Sequence, residues 1–114
     1  MGIVSRYSYG FGKAVRLAMS DDCAKMREIA GAFKALGHPV RLALLRRMMD
    51  GEPCVTDLKC KLEQSQPSIS QHLGVLRDRG IIEPVRKGNK TCYRVRDERV
   101  YDLLKMGAEL FGRE

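Results

Sequence analysis

Within the 114-residue chain, the stretch Gln64-Ser65-Gln66-Pro67-Ser68-Ile69-Ser70-Gln71-His72 gathers hydroxyl and amide side chains. Such groups donate and accept hydrogen bonds without net charge, which suits them to base edges and phosphate oxygens of double-stranded DNA. Ser65, Gln66, Ser68, Ser70 and Gln71 are the candidate contacts, and His72 and Arg77 are expected to add donors on the outward side. A second concentration follows directly, with Arg86, Lys87, Asn89, Lys90 and Arg94. Between Gln64 and Arg96 there are seven basic residues and two acidic ones, so +5 of the chain's net +7 falls in this one stretch. A cationic surface of this kind favours a polyanion, and affinity for DNA carried by phosphate contacts falls steeply with salt.

These residues need elements to present them. Ile69, Leu73 and Leu76 recur at helical spacing, so Pro67–Arg79 is predicted as a helix with one apolar face, opened by Pro67 and closed at C′ by Gly80. Val55-Thr56-Asp57 opens a shorter helix before it, with Thr56 as cap and Leu58 and Leu62 on one face. Two short helices joined by Gln64-Ser65-Gln66 make a helix-turn-helix, whose second helix enters the major groove. The period then changes. Residues 81–86 and 91–96 alternate like strands around Gly88-Asn89-Lys90, giving a basic hairpin, or wing, behind the recognition helix.

Upstream, Ser20–Leu36 reads as a helix with Met26, Ile29, Ala30, Phe33 and Leu36 at helical spacing. Pro39 then starts a helix running to about Met49, whose apolar residues are Val40, Leu42, Leu45, Met48 and Met49. A last helix, about Glu98–Phe111, shows Val100, Leu103, Leu104, Gly107 and Leu110 along one face. The expected fold is mainly α with a small β-hairpin, a winged helix-turn-helix of order α-α-α-α-β-β-α. Residues 1–19 form an N-terminal arm or short helix, and residues 20–112 form the DNA-binding and dimerisation domain.

Composition excludes several other classes. Hydrophobic residues make up 44%, enough for a core, but a chain this small leaves much apolar surface exposed, for which dimerisation is a common remedy. No apolar run approaches the roughly 20 residues of a membrane helix. The start has Arg6, Lys13 and Arg16 without the apolar stretch and cleavage site of a secretory signal, so a cytoplasmic location is expected. Only Lys13–Met19 faintly offers the basic amphipathic stretch of a membrane-surface binder. No nucleophile–base pair or phosphate loop points to an enzyme. Cysteines stand at positions 23, 54, 60 and 92; in a cytosolic protein they are read as thiols, open to metal or redox chemistry, with Cys92 structural or incidental. Cys54, before a helix start and near Lys59 and Lys61, has surroundings that would lower a thiol pKa.

Ala35-Leu36-Gly37-His38-Pro39-Val40-Arg41-Leu42 resembles the opening signature of ArsR/SmtB-type repressors. Cys54-Val55-Thr56-Asp57-Leu58 and Gln64–Leu73 resemble that family's sensing and recognition helices, and Gly88–Val95 resembles its wing. The resemblance spans roughly Met26 to Leu110. It implies a homodimer formed through the first and last helices, and a repressor released from its operator by a soft metal, a metalloid or another thiol-reactive inducer. Where arsenic- and cadmium-responsive members carry a three-thiol run, this chain has Thr56 and Lys59, and Cys60 is one residue out of register. Since some relatives recruit N-terminal cysteines, Cys23, Cys54 and Cys60 become the candidate thiol site for As(III) or a soft divalent metal. DNA binding itself requires no cofactor on this reading. The last helix lacks histidine, which argues against the family's other metal site, and His38 is expected to pack or cap. Two readings stay beside this one: redox or persulfide sensing by a cysteine pair, and a winged-helix module that binds protein rather than specific DNA.

Overall fold

In the computed structural model, which describes residues 23–51 and 64–112, the helical and strand periods of the sequence become four helices and one hairpin. They are α1 (Cys23–Leu36), α2 (Pro39–Met48), α3 (Gln66–Asp78), β1 (Ile82–Lys87), β2 (Lys90–Val95) and α4 (Arg99–Phe111). The expected helix opening at Val55, the Ser20 cap, the N-terminal arm, Cys54 and Cys60 lie outside the described residues. The chain divides into two units, Met1–Gly31 and Ala32–Glu114. The described part of the first is the opening of α1, where Met26 and Ile29 are half-buried and Ala30 is exposed. The core, the hairpin and the polar face described below belong to the second unit.

There the core gathers one stripe from each element. Leu44, Leu45 and Met48 of α2 meet Ile69, Leu73 and Leu76 of α3, and Ala35, Leu36, Ile81, Ile82 and Tyr93 complete the cluster. The α3 trio, at i, i+4 and i+7, is the expected stripe, and each member is at most 1% exposed. Leu76→Ala is therefore expected to destabilise the fold by about 3 kcal/mol, the transfer and cavity cost of a buried leucine, measurable by urea unfolding. On α2, Leu45 and Met48 are buried as their spacing suggests, joined by Leu44, whereas Leu42 and Met49 are exposed. On α4 the expected single stripe splits. Val100 and Leu104, one turn apart, pack against the core, while Leu103 and Leu110 face outward.

Local chemistry sets the element ends. His38 caps α2, its Nδ1 accepting from the Val40 N–H at 3.1 Å, as the capping expectation had it. The Ser65 hydroxyl caps α3 by accepting from the Ser68 N–H at 3.2 Å. At the other end of α3, Gly80 adopts φ +71°, its N–H donates to the Arg77 carbonyl, and the Ile81 N–H reaches back to Leu76. This paired closure requires the left-handed conformation glycine supplies, and it turns the chain straight into β1. Asp97 stands before α4 and accepts from the Arg99 N–H at 2.9 Å. The Arg99 guanidinium and that N–H hold the Asp97 carboxyl down at about 2.

β1 and β2 pair antiparallel from Ile82↔Val95 to Lys87↔Lys90, leaving Gly88-Asn89 as a two-residue loop with Gly88 at φ +65°. Ile82, Cys92 and Tyr93 anchor the base of this wing in the core, and its tip is exposed.

Candidate nucleic-acid interface

With Ile69, Leu73 and Leu76 turned inward, the period of α3 dictates where its other residues face. Gln71 and Pro67 lie opposite the core, with Gln66, Ser70 and Arg77 along one flank, and all five are exposed. Gly74 shares the outward face, and a methyl group there would meet nothing within 4 Å. Glycine costs stability in mid-helix, so its place on this face is notable only as room for a close approach. A glycine carries no side chain for a polar or apolar pattern to register, so only its place between Leu73 and Leu76 marks it in the sequence.

Two expected contacts sit differently. His72 is not on the outward side: it is half-buried on the flank facing α2, where its Nδ1 accepts from Arg41 Nε at 3.1 Å. Its ring lies 4.4 Å from that of His38. Burial, then the neighbouring His38 ring and the Arg41 guanidinium, push the His72 pKa below the ordinary histidine value. Ser68 is half-buried too, and its hydroxyl donates to Gln64 Oε1 at 3.0 Å. The Ser65 hydroxyl serves as the cap described above.

Arg86, Lys87, Asn89 and Lys90 project from the exposed end of the wing, close behind α3 in the chain. Arg94 is exposed as well, but Glu83 directly across the hairpin takes its Nε at 2.7 Å. The same carboxylate reaches Arg96 Nε at 3.7 Å. A single acidic residue thus offsets two cations at the wing's base and leaves the tip the more positive end.

Of the thiols, Cys23 is exposed and free. Cys92 corrects the expectation that the cysteines are thiols: it is fully buried on β2 and engaged in a disulfide, its partner lying outside the described residues. Among the described residues no group of three or more His, Cys, Asp or Glu comes together as a metal site. No described helix is long and apolar enough to cross a membrane.

Away from the polar face, an apolar groove of about 780 Å³ runs beside α4. Phe33, Leu42, Met49, Leu103, Met106, Leu110 and Phe111 are the exposed large hydrophobic residues of the described chain, and every one of them lines this groove.

Comparison with known proteins fits this arrangement. Residues 38–83 match the model of "Bacterial regulatory protein, arsR family". An uncharacterised HTH-type transcriptional regulator of Methanocaldococcus jannaschii is 36% identical over 87 residues, covering 75% of this chain and 98% of the relative. The crystal structure of the transcriptional repressor BigR from Xylella fastidiosa superposes with a TM-score of 0.69 at 34% identity, covering 84% of this chain and all of that one. A homodimeric winged helix-turn-helix DNA-binding domain from Mycobacterium bovis, solved in solution, superposes with a TM-score of 0.73 at 27% identity. That match covers 81% of this chain and 86% of the other.

Proposed function

Because the chain belongs to the arsR family of bacterial regulatory proteins, DNA-binding transcriptional regulators rather than enzymes, we propose that it is a homodimeric repressor that reads its operator with α3. The observation carrying this reading is the outward face of α3, polar and free of bulky apolar groups, followed at once by a wing with a cationic tip. In the proposed complex Gln66, Ser70, Gln71 and Arg77 meet base edges or nearby phosphates, and Arg86, Lys87, Asn89 and Lys90 grip the backbone beside them. The dimer offers two such helices to half-sites about one DNA turn apart. A homodimeric structural relative supports the pairing, and the apolar groove beside α4, with Phe33 of α1 on its wall, supports the first and last helices as the place of contact.

Release requires an inducer that binds the DNA-incompetent state more tightly than the competent one. One candidate is As(III) or a soft divalent metal held by Cys23, Cys54 and Cys60. The second reading, control by a cysteine pair, is favoured by a specific observation: Cys92 is already in a disulfide. Cys54 and Cys60 are then the residues to examine as its partner.

The test is fluorescence anisotropy of the full chain on its own upstream DNA and on a scrambled duplex. Reduced protein is expected to prefer the upstream fragment. Replacing Ser70 and Gln71 with alanine should remove about 1–3 kcal/mol of that discrimination. Arsenite and a mild disulfide-forming oxidant are then added separately. Release by arsenite, lost in Cys54→Ser, supports the thiol–metalloid site; release by oxidant, reversed by dithiothreitol and lost in Cys92→Ser, supports the pair. A protein that binds both duplexes equally well at every salt concentration would overturn the operator-reading function.

A further inference from the structure

The last carbonyls of a helix have no partners within it. At the end of α1, the Gly37 N–H takes the Lys34 carbonyl at 3.2 Å and the His38 N–H takes that of Leu36 at 2.9 Å. The carbonyl of Ala35 goes instead to a side chain, Arg41 Nη1 at 3.2 Å. The same guanidinium donates through Nε to His72 Nδ1, in the middle of α3. One planar group thus spans from the end of α1 to the recognition helix. Lysine, a single charged nitrogen on a flexible stem, cannot reproduce two divergent donors held in a plane.

We propose that Arg41 is a positioning residue for DNA recognition: it fixes α3 against the end of α1 through His72, and does so only while His72 is neutral. The inference rests on the reading of α3 as the DNA-contacting helix. His72 directly follows Gln71, so a turn of α3 that loosens this contact also swings the outward face. Recognition tolerates errors of only about 0.5 Å or 10–20° in such placements. Because α1 also contributes to the proposed dimer face, the same contact sets how far apart the two recognition helices stand.

The pH dependence follows from hydrogen-bond polarity. With Nδ1 accepting from Arg41, the neutral ring carries its proton on Nε2. A second proton goes to Nδ1, which becomes a donor facing a donor, and the bond is lost. Among the described residues, the charged or titratable groups acting on His72 are His38, at the start of α2, and Arg41, on α2 itself. Both oppose its protonation, and α1 brings only the Ala35 carbonyl to the cluster through Arg41. His72 accordingly titrates below the ordinary histidine value, and the contact persists at neutral pH and is broken on the acid side.

The experiment compares wild type, Arg41→Lys, Arg41→Gln and His72→Asn as full-length protein, each checked for folding by circular dichroism. The first readout needs no DNA: the His72 imidazole is titrated by NMR, and its pKa should rise in Arg41→Gln. The second is the ratio of affinities for the upstream and scrambled duplexes at constant ionic strength. Arg41→Lys keeps the charge, so binding to scrambled DNA should hold while the ratio falls about tenfold, as for one lost charge-assisted hydrogen bond. In wild type the ratio should hold at neutral pH and fall by a similar factor on the acid side of the ordinary histidine value of 6.5, because the His72 pKa is lowered. His72→Asn keeps an acceptor where Nδ1 stood and cannot titrate there, so whatever its affinity, this acid-side fall should vanish. An unchanged ratio in Arg41→Lys overturns the proposal. So does an equal loss on both duplexes in Arg41→Gln with no loss of ratio, which would make Arg41 a phosphate contact. If wild type shows no preference between duplexes, the operator reading fails separately, and a His72 titration indifferent to Arg41→Gln overturns the contact by itself.

Discussion

Leu103→Glu combined with Met106→Glu is expected to convert a dimer into a monomer and to weaken binding to a two-half-site operator about a hundredfold or more. Both side chains line the apolar groove, and neither belongs to the monomer core. The substitutions should therefore leave the fold intact while placing two charges per protomer in a surface that must shed water to associate. An isolated carboxylate is costly to bury without a partner, and a two-fold interface presents the same two charges from both protomers. Gly107, directly after Met106, adds a reason for close helix approach, since a methyl group there meets nothing within 4 Å of its own chain. The DNA consequence is larger than any single base contact, because the second half-site is bound at the high effective concentration that tethering provides. Analytical ultracentrifugation and anisotropy on single and paired half-sites check both parts. A variant that stays dimeric would move the interface elsewhere; a monomer that still binds paired half-sites at full strength would end the dimeric account of recognition.

That groove also marks where sequence periodicity stops being informative. The face Val100, Leu103, Leu104, Gly107 and Leu110 is continuous along the helical pattern, and hydrophobicity alone does not separate residues that fill a monomer's core from those awaiting another surface. Packing separates them: Val100 and Leu104 touch the core and Leu103 and Leu110 do not. Phe33, Leu42 and Met49, apolar members of the predicted upstream helices, fall on the exposed side for the same reason. By contrast, the extent and core stripe of α3 were legible, because the stripe is wholly internal and its ends carry local signals, Pro67 near the start and Gly80 with its positive φ at the close. The wing was legible too, within a residue at each strand end, because the Gly88-Asn89 turn is encoded where it occurs.

What escaped was chemistry between distant positions. His72 was expected to face outward because it stands among polar neighbours, but its partner lies 31 residues earlier, on a helix whose approach no local pattern encodes. Arg94 stands in the sequence as one of the wing's basic residues, whereas the register of the hairpin sets Glu83 opposite it. Cys92 was expected to be a thiol and is in a disulfide, which no pattern of neighbouring residues on its strand encodes. Each case concerns a polar or reactive side chain whose behaviour is decided by tertiary neighbours, so the part of the surface hardest to read was the part that bears on regulation.

The wing cations carry the second large prediction. Arg86→Ala, Lys87→Ala and Lys90→Ala combined should lower affinity for upstream and scrambled duplexes alike, and should flatten the dependence of log affinity on log salt by about 5 in slope. That figure is about 0.9 for each of six phosphate contacts, three from each protomer of the proposed dimer. Wild type, with its helix contacts added to these, should lose more than about a thousandfold in affinity between about 50 and about 200 mM salt. The mechanism is release of condensed counterions, so discrimination between duplexes should hardly change, in contrast to the loss expected from Ser70 and Gln71. Arg94→Ala should flatten the slope less than any tip substitution, because Glu83 already offsets its charge. Glu83→Gln should act in the opposite direction: it releases Arg94 and Arg96 toward the phosphates, steepening the salt dependence and tightening binding to every sequence. A triple variant with an unaltered slope would show that the wing does not touch the backbone, and a Glu83→Gln protein with weakened binding would mean that the ion pairs hold the wing in its binding shape rather than restrain its charge.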